Sequence, residues 1–350
     1  LIRAAERGQT AKTKGIAMRT FINGFGRIGR SVLRAFLQSP DRWPGLEVVG
    51  VNDIAAPEMC AYLFEFDSIF GPWRGTVALD GSDLVVDGRR IPQYGARDIS
   101  TLDLRGVDLV MECTGRADGR EMAARGLRAG AARVLVSGPS KAADYTIVLG
   151  ANEAGLCLRD HRILSNASCT TNALAPLVAL LEAEWGVVTG SMTTIHCYTG
   201  SQPTVDAPAA DFARSRAAAV SMVPTTTSAQ RLLDEVLPAL AGRIEGSAVR
   251  VPVVSVSAVD LAVMTARPAT VEAVNAVFRA AAQVAGGVIG ATDRALVSTD
   301  MRARRESIVM ACSETRITAG GMLRVFGWYD NEWGFSNRML DVATLLKAKI

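Results

Sequence analysis

One cysteine stands apart by its neighbours. Cys169 lies in SNASCTTNALAP, between Ser168 and Thr170, and opens an apolar run that reaches Trp185. Ser168 has the type and position of a helix N-cap. A cysteine in the following turn meets unpaired N–H groups and the positive end of the helix dipole, which favour a thiolate. The same N–H groups can hold a developing oxyanion. An inert packed thiol is the competing reading, because free cysteine usually behaves as a small buried hydrophobe. Cys60, Cys113, Cys157, Cys197 and Cys312 lack this setting.

A nucleophilic thiol needs a base. The chain holds two histidines, and His196 ends the strand-like stretch GSMTTIHCYTG, where a side chain can reach a pocket. Beside Cys169 it would lower the thiol pKa and carry protons. A packed, hydrogen-bonded strand histidine is the alternative, and spacing alone does not bring the two together. His161 precedes a strand and reads as a surface residue. Thr199, Ser201, Arg214, Arg216, Thr225, Thr226, Thr227 and Arg250 follow, and hydroxyl and guanidinium groups suit phosphate oxygens. Taken singly, each is a surface or capping residue as readily as a ligand.

These residues need elements to hold them. RTFINGFGRIGR begins as a short apolar strand, turns through Gly24, Gly26 and Gly29, and continues at helical spacing. LEVVGVND follows as a second strand ending in Asp53. Gly24 permits the tight turn, Gly26 lets backbone approach a pyrophosphate, and Gly29 lets helix and sheet pack closely. The helix start offers N–H groups to the anion. Asp53 can accept bonds from an adenosine ribose and would repel a 2′-phosphate, which favours NAD over NADP. VALD, DLVVDG and RRIPQY read as hairpin pieces. VDLVMECTG and ARVLVSGPS read as buried strands with turns, which puts Thr114, Gly115 and Ser137 at strand C-terminal ends, where open α/β sheets bind ligands. DGREMAARGLRAG reads as a helix with a glycine stop, and TVEAVNAVFRAAAQ as an amphipathic helix capped by Thr270.

Bulk properties bound the function. The chain has 350 residues, enough for two domains. It is 49% apolar and 21% charged, with a formal net charge of +3, so neither disorder nor a basic nucleic-acid arm is indicated. Six cysteines without a CxxC pair and two histidines suggest neither a disulfide framework nor a metal cluster. Reduced thiols and a cytoplasmic location are expected. No apolar run reaches the roughly 18 residues of a membrane span. Residues 1–17, LIRAAERGQTAKTKGIA, are expected to be an upstream extension, with Met18 near the natural start.

The motifs together carry a resemblance. INGFGRIGR, VND, ECTG, SNASCTTN, TTIHCYTG, RVPVVSVSAVDL and WYDNEWGFSNR resemble, in order from Met18 to the C-terminus, segments of the phosphorylating glyceraldehyde-3-phosphate dehydrogenase family. SNASCTTN with WYDNEWG is the most specific pair. The resemblance implies an α/β fold with an N-terminal Rossmann-type NAD-binding domain, residues 18–167 completed by a helix over 333–350. A C-terminal α+β catalytic domain of mixed or antiparallel sheet would cover 168–332. It implies Cys169 as nucleophile and His196 as base. Ser168, Thr170, Thr199, Ser201, Arg214, Thr227, Ser228 and Arg250 would meet substrate or inorganic phosphate. Gly24, Phe25, Gly26, Arg27, Ile28, Asp53, Arg97, Thr114 and Ser137 would line the NAD site, and Asn331 would orient the nicotinamide amide. Ile54 and Pro208 match the family's NAD-preferring pattern. A homotetramer is implied, with a loop from about 197 to 224 at a subunit interface.

The implied reaction converts a triose phosphate, D-glyceraldehyde 3-phosphate, to 1,3-bisphosphoglycerate through a cysteine hemithioacetal and thioester. No metal, membrane or nucleic acid enters it. The chain also departs from the usual pattern. Ala173 stands where many members have a second cysteine. Pro203, Ser228 and Arg231 replace common residues, and MRARRES at 301–307 is unusually basic. These departures keep two alternatives in view: an erythrose-4-phosphate dehydrogenase paralogue that hydrolyses its thioester, and a non-catalytic dehydrogenase-like binding protein.

Overall fold

The computed structural model describes residues 17–349, except 210 and 285. Apart from Ala17, the expected extension lies outside the described residues. The first sheet-forming unit begins with β1 (Met18–Asn23), α1 (Arg27–Gln38), β2 (Leu46–Asn52) and α2 (Pro57–Glu65). It continues through the short strand β3 (Gln93–Tyr94), β4 (Leu109–Glu112), β5 (Arg133–Val136), β6 (Tyr145–Thr146) and β7 (Ile163–Ser165). Their order across the sheet is β3-β2-β1-β4-β5-β7-β6, and every pairing is parallel. The central strands are buried on both faces, as parallel strands covered by helices must be. The three hairpin pieces form a separate antiparallel sheet over Val77–Ile91. The segment expected as one helix after ECTG is helical from Arg120 to Arg128, interrupted at Ala124.

The second sheet follows α3 (Cys169–Trp185). Its strands are β8 (Val187–Cys197), β9 (Val223–Thr225), β10 (Ile244–Val251), β11 (Ser257–Thr265), β12 (Ile289–Thr292), β13 (Ile308–Ala311) and β14 (Leu323–Tyr329). They are ordered β9-β10-β8-β11-β14-β13-β12, with Arg316–Ile317 paired to β14. The sheet is mixed: β8 runs parallel to β10 and antiparallel to β11. The chain ends in α4 (Trp333–Lys349). This is an N-terminal Rossmann-type sheet followed by a mixed, largely antiparallel one.

Two of the apolar cores among the described residues position the site. One joins α1, β1, β2 and β4 to Trp333, Phe335, Met339, Leu340 and Leu346 of α4. The last helix therefore returns to the first sheet because its apolar side chains complete that core. The other core packs α3 against β8, β11 and β14. α3 is buried on most sides from Thr170 to Leu181. Pro176 sits inside it, beyond the first turn, and forfeits the bond to the Asn172 carbonyl. Dense apolar packing carries the helix through that gap.

Candidate active site

The nucleophile candidate sits at a strained junction. β7 ends at Ser165, and Ala167 then takes φ +54°, a left-handed conformation that a non-glycine residue adopts at a cost of about 1–2 kcal/mol. Its surroundings hold it there. Asn166 N–H donates to the Val136 carbonyl at 2.9 Å, Ala167 N–H to Ser165 Oγ at 3.0 Å, and Asn172 Nδ2 to the Asn166 carbonyl at 2.7 Å. The reversal brings Ser168 to the N-cap of α3, where its Oγ accepts the Thr171 N–H at 3.0 Å. Cys169 is the first helical residue, as its sequence setting predicts.

The second sheet supplies the candidate base. His196 is the penultimate residue of β8, and its Nε2 lies 3.5 Å from Cys169 Sγ. His196 pairs in register with Arg250 on β10. His196 Nδ1 is 2.7 Å from the Cys197 carbonyl, and Arg250 Nη1 is 2.8 Å from both that oxygen and Nδ1. With Nδ1 assigned as the protonated nitrogen, Nδ1–H and Arg250 N–H both donate to the Cys197 carbonyl and lie side by side. That tautomer leaves the Nε2 lone pair facing the thiol.

Electrostatics sets the resting state. Burial pushes the His196 pKa down to about 4, the Arg250 charge adds to this, and the bond to the Cys197 carbonyl opposes it. Burial also pushes the Cys169 thiol up, against the pull of Arg250, Thr170 and the first helical N–H groups. Both shifts favour the neutral forms, thiol on Cys169 and imidazole on His196. The sequence argument counted the helix end and the histidine but not the desolvation. Tyr329 Oη, 2.8 Å from both Thr170 Oγ1 and Thr194 Oγ1, stands edge-on to His196 and braces the pair from below.

The other anion candidates fall into distinct places. Thr170 is buried and spends its hydroxyl on Tyr329. Thr199 and Ser201 share a 2.9 Å bond on the turn after β8. Arg214 donates through Nε to Thr225 Oγ1 at 2.5 Å and through Nη2 to the Thr226 carbonyl at 3.2 Å. β9, which holds Thr225, pairs with β10, so the sheet ties this cluster to Arg250 and His196. Thr227 Oγ1 accepts the Ala229 N–H at 3.1 Å, while Ser228 makes no side-chain cap. Arg216 turns away and pairs with Asp206 at 2.8 Å.

A cavity of about 270 Å³ opens at the C-terminal ends of β1, β2 and β4. Gly24, Gly26, Asp53, Arg97 and Thr114 line it; Ser137 and Asn331 do not. Gly24 has φ +91°, and a Cβ there would lie 2.6 Å from the Thr114 nitrogen. A Cβ on Gly29 would lie 2.0 Å from the Gly24 carbonyl oxygen, so the turn and helix can meet only without side chains. Gly26 faces open space and caps α1 without a side-chain acceptor, which leaves the first-turn N–H groups open to an anion. Phe25 serves differently: its ring is buried on Phe64, and its N–H donates to Asp53 Oδ2 at 2.7 Å. The Ala55 N–H holds Asp53 Oδ1 at 2.9 Å, so two backbone donors orient this carboxylate. This glycine turn, helix start and held carboxylate fit a dinucleotide.

Three contributors escaped the sequence reading. Asn52 Nδ2 donates to Asn23 Oδ1 at 2.8 Å, and Glu112 accepts from Asn23 Nδ2 and from Thr114 N, the latter at 3.0 Å. This buried network stiffens the cavity mouth; only the polar ends of apolar strands could have signalled it. Arg27 was expected to act through its backbone, but its side chain also pairs with Asp67 at 2.5 Å and with Glu332 through Nε at 3.0 Å. Cys197, read only as packing, donates from Sγ to Asn331 Oδ1 at 3.2 Å. Asn331 therefore joins the His196 strand end through its neighbour.

Comparison with known proteins agrees with this geometry. Residues 18–120 match the family model for the glyceraldehyde 3-phosphate dehydrogenase NAD binding domain, and residues 168–331 match that for its C-terminal domain. Similar proteins named glyceraldehyde-3-phosphate dehydrogenase include one from Zymomonas mobilis, 45% identical over 333 residues, which span 94% of this chain and 98% of that protein. The Cereibacter sphaeroides protein is 46% identical over 333 residues, 95% of this chain and 99% of its own. That from Geobacillus stearothermophilus is 43% identical over 337 residues, with the same coverage. The chain belongs to the glyceraldehyde-3-phosphate dehydrogenase family.

Proposed function

We propose that this chain oxidises and phosphorylates D-glyceraldehyde 3-phosphate to 1,3-bisphosphoglycerate, a glycolytic step, with NAD as cofactor. The 3.5 Å approach of Cys169 Sγ to His196 Nε2 carries the reading. Gly24, Gly26, Arg27, Ile28 and Asp53 would hold the dinucleotide, and Asn331 its nicotinamide end. When bound, NAD+ supplies the hydride acceptor. Cys169 adds to the aldehyde carbon as His196 Nε2 takes the thiol proton, and the carbonyl oxygen, protonated, becomes the hemithioacetal hydroxyl. His196 then accepts that hydroxyl proton as the hemithioacetal is oxidised to the thioester. Inorganic phosphate attacks the thioester carbon, and Cys169 leaves. Arg250, Arg214, Thr199 and Thr227 hold the substrate and attacking phosphates, with Ser201 and Ser228 at the same two turns.

The reading includes a division at residues 167/168 and a homotetramer. Phe212, Val220 and Met222 are exposed at 97%, 80% and 75%. Apolar groups so placed on one loop suit cover by a neighbouring copy. No helix among the described residues is long and apolar enough to cross a membrane, which accords with a cytoplasmic enzyme. The test follows NADH formation with glyceraldehyde 3-phosphate and with erythrose 4-phosphate, each with and without inorganic phosphate. Strong phosphate dependence with the triose is expected. Equal rates without phosphate would reject phosphorolysis in favour of hydrolysis.

A further inference from the structure

The basic stretch 301–307 has no part in the chemistry above. It forms one wall of a second cavity, of about 590 Å³, which shares no lining residue with the dinucleotide cavity and includes neither Cys169 nor His196. The opposite wall is the end of α1 and the turn after it, from Ala35 to Trp43; Trp333 and Asn337 of α4 close the third side. Arg42, Arg304 and Arg305 line it, and Glu306 is the one acidic residue in the lining.

The carboxylates nearby are already committed. Glu306 is held by Arg304 at 2.6 Å. Asp341, behind the cavity, accepts from Arg338 and from Trp43 Nε1 at 2.6 Å, with Arg42 at 3.7 Å. Arg305 is exposed and has no carboxylate partner among the described residues. Burial lowers the Arg42 pKa; Asp341 opposes this most strongly, the Arg305 and Arg338 charges add to it, and Glu306 opposes it.

A second observation comes from unpartnered buried atoms. Arg302 Nε and Ser307 Oγ on the basic stretch have no hydrogen-bond partner. Nor have Ser336 Oγ and the Nε and Nη1 of fully buried Arg338, on the helix that closes the cavity. Four of these five atoms are N–H donors or hydroxyls on residues less than 5% exposed. Buried donors without acceptors are costly to leave unpaired. These residues neighbour the lining in sequence without being part of it; the cavity wall itself presents Arg42, Arg304 and Arg305 against one acidic residue, a charge balance that suits an acceptor-rich anion.

We propose that this cavity is a second anion-binding site, which takes a small metabolite bearing two or more phosphate groups. One inorganic phosphate would fill little of the space and engage one or two of three guanidinium groups, whereas the volume lies in the range of small-molecule sites. The concave form suits a compact ligand better than a nucleic-acid backbone or a flat membrane. Its position gives it a route to the active site. Asp330 Oδ2 accepts the Ala303 N–H at 2.8 Å, so the basic stretch is tied to the residue before Asn331.

The probe is inorganic tripolyphosphate, titrated calorimetrically into the full chain in its native assembly at ionic strength held constant with sodium chloride. Saturable binding is expected, weakened at least tenfold in Arg305→Glu. The melting temperature and NADH turnover of that variant, measured without tripolyphosphate, should match wild type. Equal binding by wild type and Arg305→Glu would place the anion elsewhere and overturn the proposal. So would binding that sodium chloride at matched ionic strength abolishes, or no binding at all.

Discussion

At Cys169, burial and charge pull in opposite directions. The thiol needs a base because desolvation keeps it protonated, and His196 is available as that base because desolvation keeps it neutral. Cys169→Ala should abolish turnover and leave NAD binding measurable by fluorescence titration; full turnover would refute the covalent route. His196→Asn should lower kcat by about 10²–10⁴, the usual range for a lost general base. The same substitution tests the charge state. The folded-state pKa of His196, about 4, lies below its ordinary 6.5. Its neutral form therefore supports stability fully above pH 6.5, and that support is lost as pH falls towards 4. Between pH 7 and 5 the wild type should lose about 2 kcal/mol more than His196→Asn in urea unfolding. Parallel losses would mean that the imidazole is not desolvated. At Asn331, the Cys197 thiol donates to Oδ1 and so fixes which way the side-chain amide faces. Cys197→Ala should raise KM for NAD several-fold at little cost in kcat, and Cys197→Ser should restore it. An unchanged KM in the alanine variant would remove Cys197 from that role.

Between elements, the decisive joint is the reversal from β7 to α3. Sequence supplied its cap: Ser168 was legible from residue type, and so was the helix that follows. The left-handed Ala167 was not, because alanine gives no sign of positive φ; only the surrounding bonds from Asn166, Ser165 and Asn172 require it. Ser168→Ala should cost about 1 kcal/mol in thermal unfolding, the typical worth of an N-cap. Ala167→Val, β-branched at φ +54°, should cost more than Ser168→Ala and slow turnover by shifting the Cys169 backbone. A valine variant as stable and active as wild type would show that the junction relaxes freely.

The whole molecule depends on contacts between distant parts of the chain. Arg27, at the start of the first helix, binds Glu332, just before the last one, and Asp67 between them. The clamp joins the glycine turn to the residue beside Asn331. A double-mutant cycle of Arg27→Gln and Glu332→Gln should give a coupling of about 1–3 kcal/mol in denaturant unfolding. Additive effects would reduce the clamp to a surface pair. The sequence by itself determined the strand–glycine–helix unit, the capped helix under Cys169 and the family, because these rest on local spacing and steric demands that neighbouring residues satisfy. Tertiary structure alone decided that His196 reaches Cys169, that Arg250 lies beside it, that Thr170 turns inward and that Cys197 holds Asn331. Those contacts cross between strands and helices far apart in the chain. Their distances, and the burial that shifts their proton affinities, exist only once the two sheets have packed.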